Sequence, residues 1–273
     1  MTMSLKKILG VGALLTTGIL LANAFWIERY FIRVKEYRIN SAKKNVWDIK
    51  VVQLSDLHLR SINRPLQQLA KMLNELQPDL ILITGDTIDD AEYTSVLEDF
   101  LKLLDKNIEK AAVLGNGEYT GKVNLGLLES IYEGYNTRLL INETKRYLFR
   151  GQSISITGTD DFIKGKPDFE AAIKEYQESD YHIVLSHCPE YRDHISRHMD
   201  NVKVDLVLSG HTHGGQINIM GHIPTLPDGS GSYLNGWYKE KFPHLYVSKG
   251  LGTSIFPVRF GARAEMAVFY LAK

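Results

Sequence analysis

A chain of 273 residues, 44% apolar and 23% charged, suffices for one large α/β domain with an N-terminal appendage, and without repeats or low-complexity tracts it is neither a solenoid nor a disordered tail. Lys+Arg and Asp+Glu both number 32, so the basic excess that would neutralise a nucleic-acid backbone is missing and no nucleic-acid binding is expected. The single cysteine, Cys188, excludes an internal disulfide and a thiolate cluster, so any metal must be held by oxygen and imidazole.

The first candidate element is apolar. Residues 8–27 carry no charge, and only Thr16, Thr17 and Asn23 interrupt them with polar side chains. As a helix such a run spans roughly 30 Å, the thickness of a hydrocarbon core, so residues 1–31 are expected to form an N-terminal transmembrane helix that anchors the chain. A cleaved signal peptide is the alternative, because Lys6 and Lys7 make a basic start and Ala22-Asn23-Ala24 has the small-x-small form of a cleavage site, although the run exceeds the usual h-region of about 7 to 15 residues. Arg29, Arg33, Lys35, Arg38, Lys43 and Lys44 outnumber Lys6 and Lys7, which favours a cytoplasmic-facing domain; a cleaved signal would make it exported. Trp26, Tyr30 and Phe31 suit the headgroup level. The alternation that follows, from Ile32 to Ile39, reads as a half-buried strand and opens the catalytic domain, residues 32–273.

Beyond residue 40 short apolar runs alternate with longer amphipathic segments, the pattern of strands and crossover helices. Buried strands are predicted over 49–54, 80–83, 111–114, 182–185 and 204–208, and helices over 64–77, 94–107, 122–134, 167–178 and 189–199. Residues 138–160 read as antiparallel strands turning near Asn142-Glu143 and Arg150-Gly151, and 245–248 with 263–271 supply the last strands. Two packed mixed sheets flanked by helices fit this inventory.

Each of the five buried runs ends in a potential ligand. The first leads into Ser55-Asp56-Leu57-His58, the second into Gly85-Asp86-Thr87-Ile88-Asp89 and the third into Gly115-Asn116-Gly117-Glu118. The fourth ends at Ser186-His187, the fifth at Gly210-His211-Thr212-His213-Gly214-Gly215-Gln216. Ligand sites in parallel sheets gather beyond the carboxyl ends of strands, so these side chains should converge on one crevice. Gathered carboxylates and imidazoles repel or crowd one another unless cations link them, and this donor set suits manganese, iron or zinc. Taken singly, a Gly-Asp after a strand is usually a turn or a helix cap, and Asp-x-His is scarcely more specific. Gly-His-Thr-His-Gly-Gly is more telling, and five such endings in order outweigh the separate bland readings.

These motifs, with the closing Ser248-Lys249-Gly250-Leu251-Gly252-Thr253, resemble the calcineurin-like metallophosphoesterases, in the bacterial membrane-associated or exported YaeI/YkuE-like branch. The resemblance runs from about Val51 to the C-terminus. It implies a four-layer α/β/β/α sandwich with a dinuclear site in which Asp56, His58 and His213 hold one metal, Asn116, His187 and His211 the other, and Asp86 bridges both. The implied chemistry is hydrolysis of phosphodiester or pyrophosphate bonds by a bridging hydroxide, with Asp86, Asn116 and His211 as the catalytic residues. Asp89 would orient a ligand or cap a helix, and Glu118 would support the site. One position departs: where the family has a histidine that protonates the leaving oxygen or stabilises transition-state charge, this chain has Gly117. Without that acid a weakly basic leaving group is favoured, as in a phosphoanhydride or activated diester, unless another residue such as His222 supplies the proton.

Cys188 reads as packing rather than as a nucleophile, and His182, His194 and His198 as structural or exposed. His222 and His244 border the loop 221–243, the candidate for contacting a lipid or nucleotide portion of the substrate. The expected partners are a membrane and a phosphate-ester or nucleotide-lipid substrate, UDP-diacylglucosamine being the sharpest suggestion, since related enzymes cleave it. The alternative is a non-catalytic metal-binding or scaffold protein, suggested only by Gly117.

Overall fold

The computed structural model describes residues 5–40, 48–198, 200 and 202–272. Its strands are β1 (Arg33–Ile39), β2 (Ile49–Leu54), β3 (Leu80–Thr84), β4 (Glu109–Val113), β5 (Thr137–Leu139), β6 (Glu143–Phe149), β7 (Gln152–Gly158), β8 (Tyr181–Leu185), β9 (Leu206–Ser209), β10 (Gly236–Tyr238), β11 (His244–Val247) and β12 (Glu265–Leu271). They form two six-stranded sheets ordered β1-β12-β2-β3-β4-β5 and β10-β11-β9-β8-β7-β6. Both are mixed: β12 is antiparallel to β2, and β10 and β6 run antiparallel to their neighbours β11 and β7, while the other pairs are parallel.

The helices are α1 (Leu5–Ala22), α2 (Glu28–Tyr30), α3 (Arg64–Leu76), α4 (Thr94–Lys102), α5 (Asn116–Thr120), α6 (Leu125–Gly134), α7 (Phe169–Ala172) and α8 (Arg192–Ile195). Successive strand residues face opposite ways, and this builds the layers. Val52, Ile81 and Ala112 pack outward under Leu73, Phe100 and Leu128 of α3, α4 and α6. Val51, Leu82 and Val113 face inward onto Ile156, Ile183 and Leu208 of the second sheet. On that sheet's outer face Val184 and Val207 meet Phe169 and Ile195 of α7 and α8. Strands covered on both faces explain why the runs are continuously apolar.

Predicted helices come out shorter where a side chain finds a better partner than the next turn. The helix expected from 122 starts at Leu125, because the Asn124 side chain accepts from Leu127 N at 3.0 Å and caps it. That expected over 94–107 stops at Lys102, and the Asp105 side chain then takes Asn107 N. Of 167–178 only α7 is α-helical, and Tyr176 stacks on His182. Of the helix expected over 189–199, residues 189–198 form α8 between two 3-10 turns, and residue 199 lies outside the described residues.

The N-terminus departs from expectation. The α-helical run starts with Leu5-Lys6-Lys7, ends at Ala22 and passes through a π turn, Asn23–Ile27, into α2. Among the described residues no helix is long and apolar enough to cross a membrane, so the expected transmembrane helix finds no support. The chain then docks on the domain: Arg259 N donates to Ala24 O (3.0 Å), Ala264 N to Glu28 O (2.8 Å), and β1 joins the first sheet beside β12. Lys43 and Lys44, invoked for orientation, lie outside the described residues.

Candidate metal centre

Five turns, each just beyond the carboxyl end of a parallel strand, deliver the side chains. Asp56 and His58 follow β2, Asp86 follows β3, Asn116 opens α5 after β4, His187 follows β8, and His211 and His213 follow β9. The turns are tied to one another: Asp56 N donates to Gly85 O (3.1 Å), His58 N to Asp86 O (3.0 Å) and Gly210 N to His187 O (3.0 Å). The His211 amide crosses between the sheets to Asp56 Oδ1 at 2.9 Å. Asp56, His58, Asp86, His211 and His213 all have φ between 43° and 73°, the left-handed region that costs about 1–2 kcal/mol for a residue with a Cβ. That strain aims five donors at one point.

The donors meet. His58 Nε2 lies 3.0 Å from His213 Nε2 and 3.6 Å from Asp86 Oδ2, and His187 Nε2 lies 3.4 Å from Asp86 Oδ1 and 3.2 Å from His211 Nδ1. Two overlapping sets, Asp56-His58-His213 and Asp56-Asp86-His187, each keep their ligand atoms within 4.8 Å of one another. Asp56 belongs to both sets, and Asp86, the carboxylate expected to bridge, turns one oxygen toward His58 and the other toward His187. Asp56 Oδ2 and Asn116 Oδ1 are buried with no hydrogen-bond partner, a costly state for oxygen acceptors that a cation relieves. The donor set therefore fits hard or borderline divalent ions. Gly115 makes the close approach possible, since a Cβ there would stand 2.9 Å from His187 Nε2 and overlap Asp86.

A surrounding shell orients the rings. His187 Nδ1 is bonded to Thr84 O (2.8 Å) and His211 Nε2 to Asp228 O (2.7 Å), which turns the other nitrogen of each ring inward. His58 Nδ1 is bonded to Asp89, whose second oxygen accepts from Arg60 Nη2 at 2.9 Å. Asp89 thus orients a ring, and the capping falls to Asp90, which accepts from Glu92 N. Glu118 is buried and accepts from the amides of Gly115, Asp86, Thr87 and Ile88 and from the Thr87 hydroxyl. One carboxylate so clamps the second and third ligand turns together. No motif in the sequence singles out Arg259, yet it is fully buried, donates to the carbonyls of Lys249 and Ala262 and lies 3.3 Å from His213 Nδ1.

Burial and neighbours set the charges. Burial pushes the Asp86 carboxyl up, but the adjacent His187 outweighs it and holds the group well below the usual carboxylate range. Burial pushes His211 down, with His187 adding to it, and pushes His213 further down, with His58 and Arg259 adding to it. Both rings are thereby kept neutral, the form that ligates.

Other expected residues lie elsewhere. His244 borders the loop 221–243 and starts β11, which runs parallel to β9, so it sits at the end of the sheet opposite the ligands, stacked on Phe242. His222 is exposed in the turn Ile219–His222. Cys188 is buried, donates to Asp161 Oδ2 at 3.4 Å, and burial pushes its thiol far up, so it stays protonated. The loop 221–243 does cover the site: Asp228 holds His211, Leu234 O accepts from Thr212 Oγ1, and buried Arg192 pins Tyr233 and Pro243.

A paired-sheet sandwich with a carboxylate and imidazole cluster at its strand ends defines a class of dinuclear metallohydrolases. The family described as calcineurin-like phosphoesterase matches residues 49–215. An uncharacterized metallophosphoesterase of Bacillus subtilis, YkuE, is 33% identical over 96% of this chain and 93% of its own. A UDP-2,3-diacylglucosamine pyrophosphatase of Chlamydia trachomatis, LpxG, is 26% identical over 89% of this chain and 92% of its own. A dimetal phosphatase from Danio rerio shares the fold with a TM-score of 0.50 at 11% identity, over 82% of this chain and 93% of its own. The chain belongs to the calcineurin-like phosphoesterase family and is a metallophosphoesterase of the YkuE-like branch.

Proposed function

We propose that the protein hydrolyses phosphodiester or pyrophosphate bonds at a membrane surface, with Asp56, His58, Asp86, Asn116, His187, His211 and His213 holding two divalent cations. The observation that carries this is the meeting of two buried carboxylates with three imidazoles, beside orphaned oxygens on Asp56 and Asn116. Bound cations would supply Lewis acidity toward phosphoryl oxygens and a nucleophile from water at neutral pH. Asp86 and Asp56 contribute the negative charge that retains them, Asp89 fixes the His58 ring, and the Asp228 carbonyl fixes that of His211. Gly117 donates its amide to Asp86 Oδ1 at 2.7 Å, and a Cβ there would stand 2.9 Å from the same oxygen. No imidazole reaches a leaving group from this position. A weakly basic leaving group suits such a site, and general acid help is worth about 10² to 10⁴-fold where it is needed.

The exposed apolar side chains of Leu15, Ile19, Trp26 and Phe31 and the similarity to a diacylglucosamine pyrophosphatase support a nucleotide-lipid substrate. The basic residues Arg29, Arg33 and Arg38 after α1 support a cytoplasmic-facing domain. The test is hydrolysis of bis(p-nitrophenyl) phosphate by protein stripped of metal and then given manganese, beside Asp86→Asn. Manganese-dependent turnover by the parent alone is expected; manganese binding without turnover in either would overturn the reading.

A further inference from the structure

A cavity of about 240 Å³ opens beside His58. Its walls come from three segments: residues of and after α2, the turn between β2 and α3 with the first turn of α3, and the stretch after Ser248. Ile32, Leu57, Leu59, Leu66 and Leu251 supply its apolar part, about half of the wall, and Arg29 and Arg60 bring two guanidinium groups, with no Asp or Glu among the lining residues. Arg29 is held with its guanidinium 4.7 Å above the Tyr30 ring, and Arg60 is held by Asp89, which also bonds His58. The N-terminal wall is fixed, since Ala262 N donates to Glu28 Oε2 (2.9 Å) and Arg33 N to Ala264 O (2.8 Å).

A chamber with one apolar wall and two guanidinium groups, and with a candidate metal ligand in its lining, matches an amphiphile that carries phosphate at one end. We propose that this cavity is the subsite for the apolar portion of an amphiphilic phosphate whose phosphoryl group reaches the metal centre past His58. The inference rests on the hydrolase reading and adds that the segment after α1 is part of the substrate site. It also joins the cavity to a lipid surface: Phe25, Trp26, Ile27 and Phe31, on the segment that supplies Arg29 and Tyr30, are exposed.

The test is calorimetric titration of the full manganese-loaded chain with octyl phosphate below its micelle concentration and with inorganic phosphate, in the parent, Leu66→Trp and Arg29→Gln. Octyl phosphate should bind the parent at least about tenfold more tightly, the effect of sequestering about two methylenes. Leu66→Trp fills the chamber and should cut that advantage to below about threefold; Arg29→Gln should weaken octyl phosphate without Leu66 being touched. An octyl chain that confers no advantage on the parent, or an advantage that survives both substitutions, overturns the proposal. The readout needs no turnover, so an inactive protein that binds octyl phosphate in this way sinks the hydrolase reading and leaves the cavity assignment standing.

Discussion

His182 and His187 lie on and just beyond the same strand, both buried and both bonded through Nδ1 to a backbone carbonyl, and they differ in what the other nitrogen meets. His182 is satisfied: Thr157 Oγ1 lies 2.7 Å from Nε2, Lys203 O 2.9 Å from Nδ1, and Tyr176 stacks on the ring at 4.4 Å. His187 has one nitrogen tied to Thr84 O, while the other faces Asp86 Oδ1 and His211 Nδ1, an assembly that includes orphaned oxygens. Burial therefore does not tell a ligand from a core histidine. Unspent donor capacity does, together with left-handed backbone at the neighbouring ligands.

The largest expected effect tests the His187 side of this comparison. Asp86→Ala should lower manganese-dependent turnover by at least about a thousandfold while the protein still melts cooperatively; residual activity above a tenth of the parent's would break the contrast. Next comes Glu118→Ala, which leaves the amides of Gly115, Asp86 and Thr87 without their acceptor. Stranding buried donors costs about 1–3 kcal/mol each, so both the melting temperature and metal affinity should fall, as calorimetry with and without manganese would read. Asp89→Asn is milder, because among the metal ligands it weakens only the support of His58, besides its pairing with Arg60. A loss of about 10 to 100-fold in metal affinity is expected, and an unchanged affinity would remove Asp89 from the site.

The fold and the ligand turns were legible because both are written locally. Continuous apolar runs give strands covered on both faces, and each such run ends in its ligand motif. Even Asp89 and Glu118 are signalled by their place in those motifs. Asp228, Arg259 and Thr84 were not, since two act on the rings through backbone carbonyls and the third is one arginine among many. Helix lengths failed where tertiary partners intervened, as when Tyr176 leaves the helical path for His182. In the N-terminal run, apolar composition alone does not fix how far an α-helix extends before a π turn.

The smallest effect tests the His182 side. Burial, the dominant influence, pushes its pKa down to about 4, against the ordinary 6.5. In the unfolded chain the ring takes up a proton as the pH falls through 6.5, whereas in the folded chain it does so only near 4, so within this window the unfolded state binds more protons. Stability is then full above about pH 6.5 and falls as the pH drops toward 4, at up to about 1.4 kcal/mol per pH unit. Ionisation elsewhere in the chain also changes with pH, so the quantity to measure is a difference: urea unfolding of the parent and of His182→Gln, with chelator, from pH 7.5 to 4.5. Groups outside the reach of position 182 cancel between the two proteins. The parent's advantage should shrink as the pH falls; an advantage that holds constant or grows would mean that His182 is charged in the fold, and that its partners hold an imidazolium rather than a neutral ring.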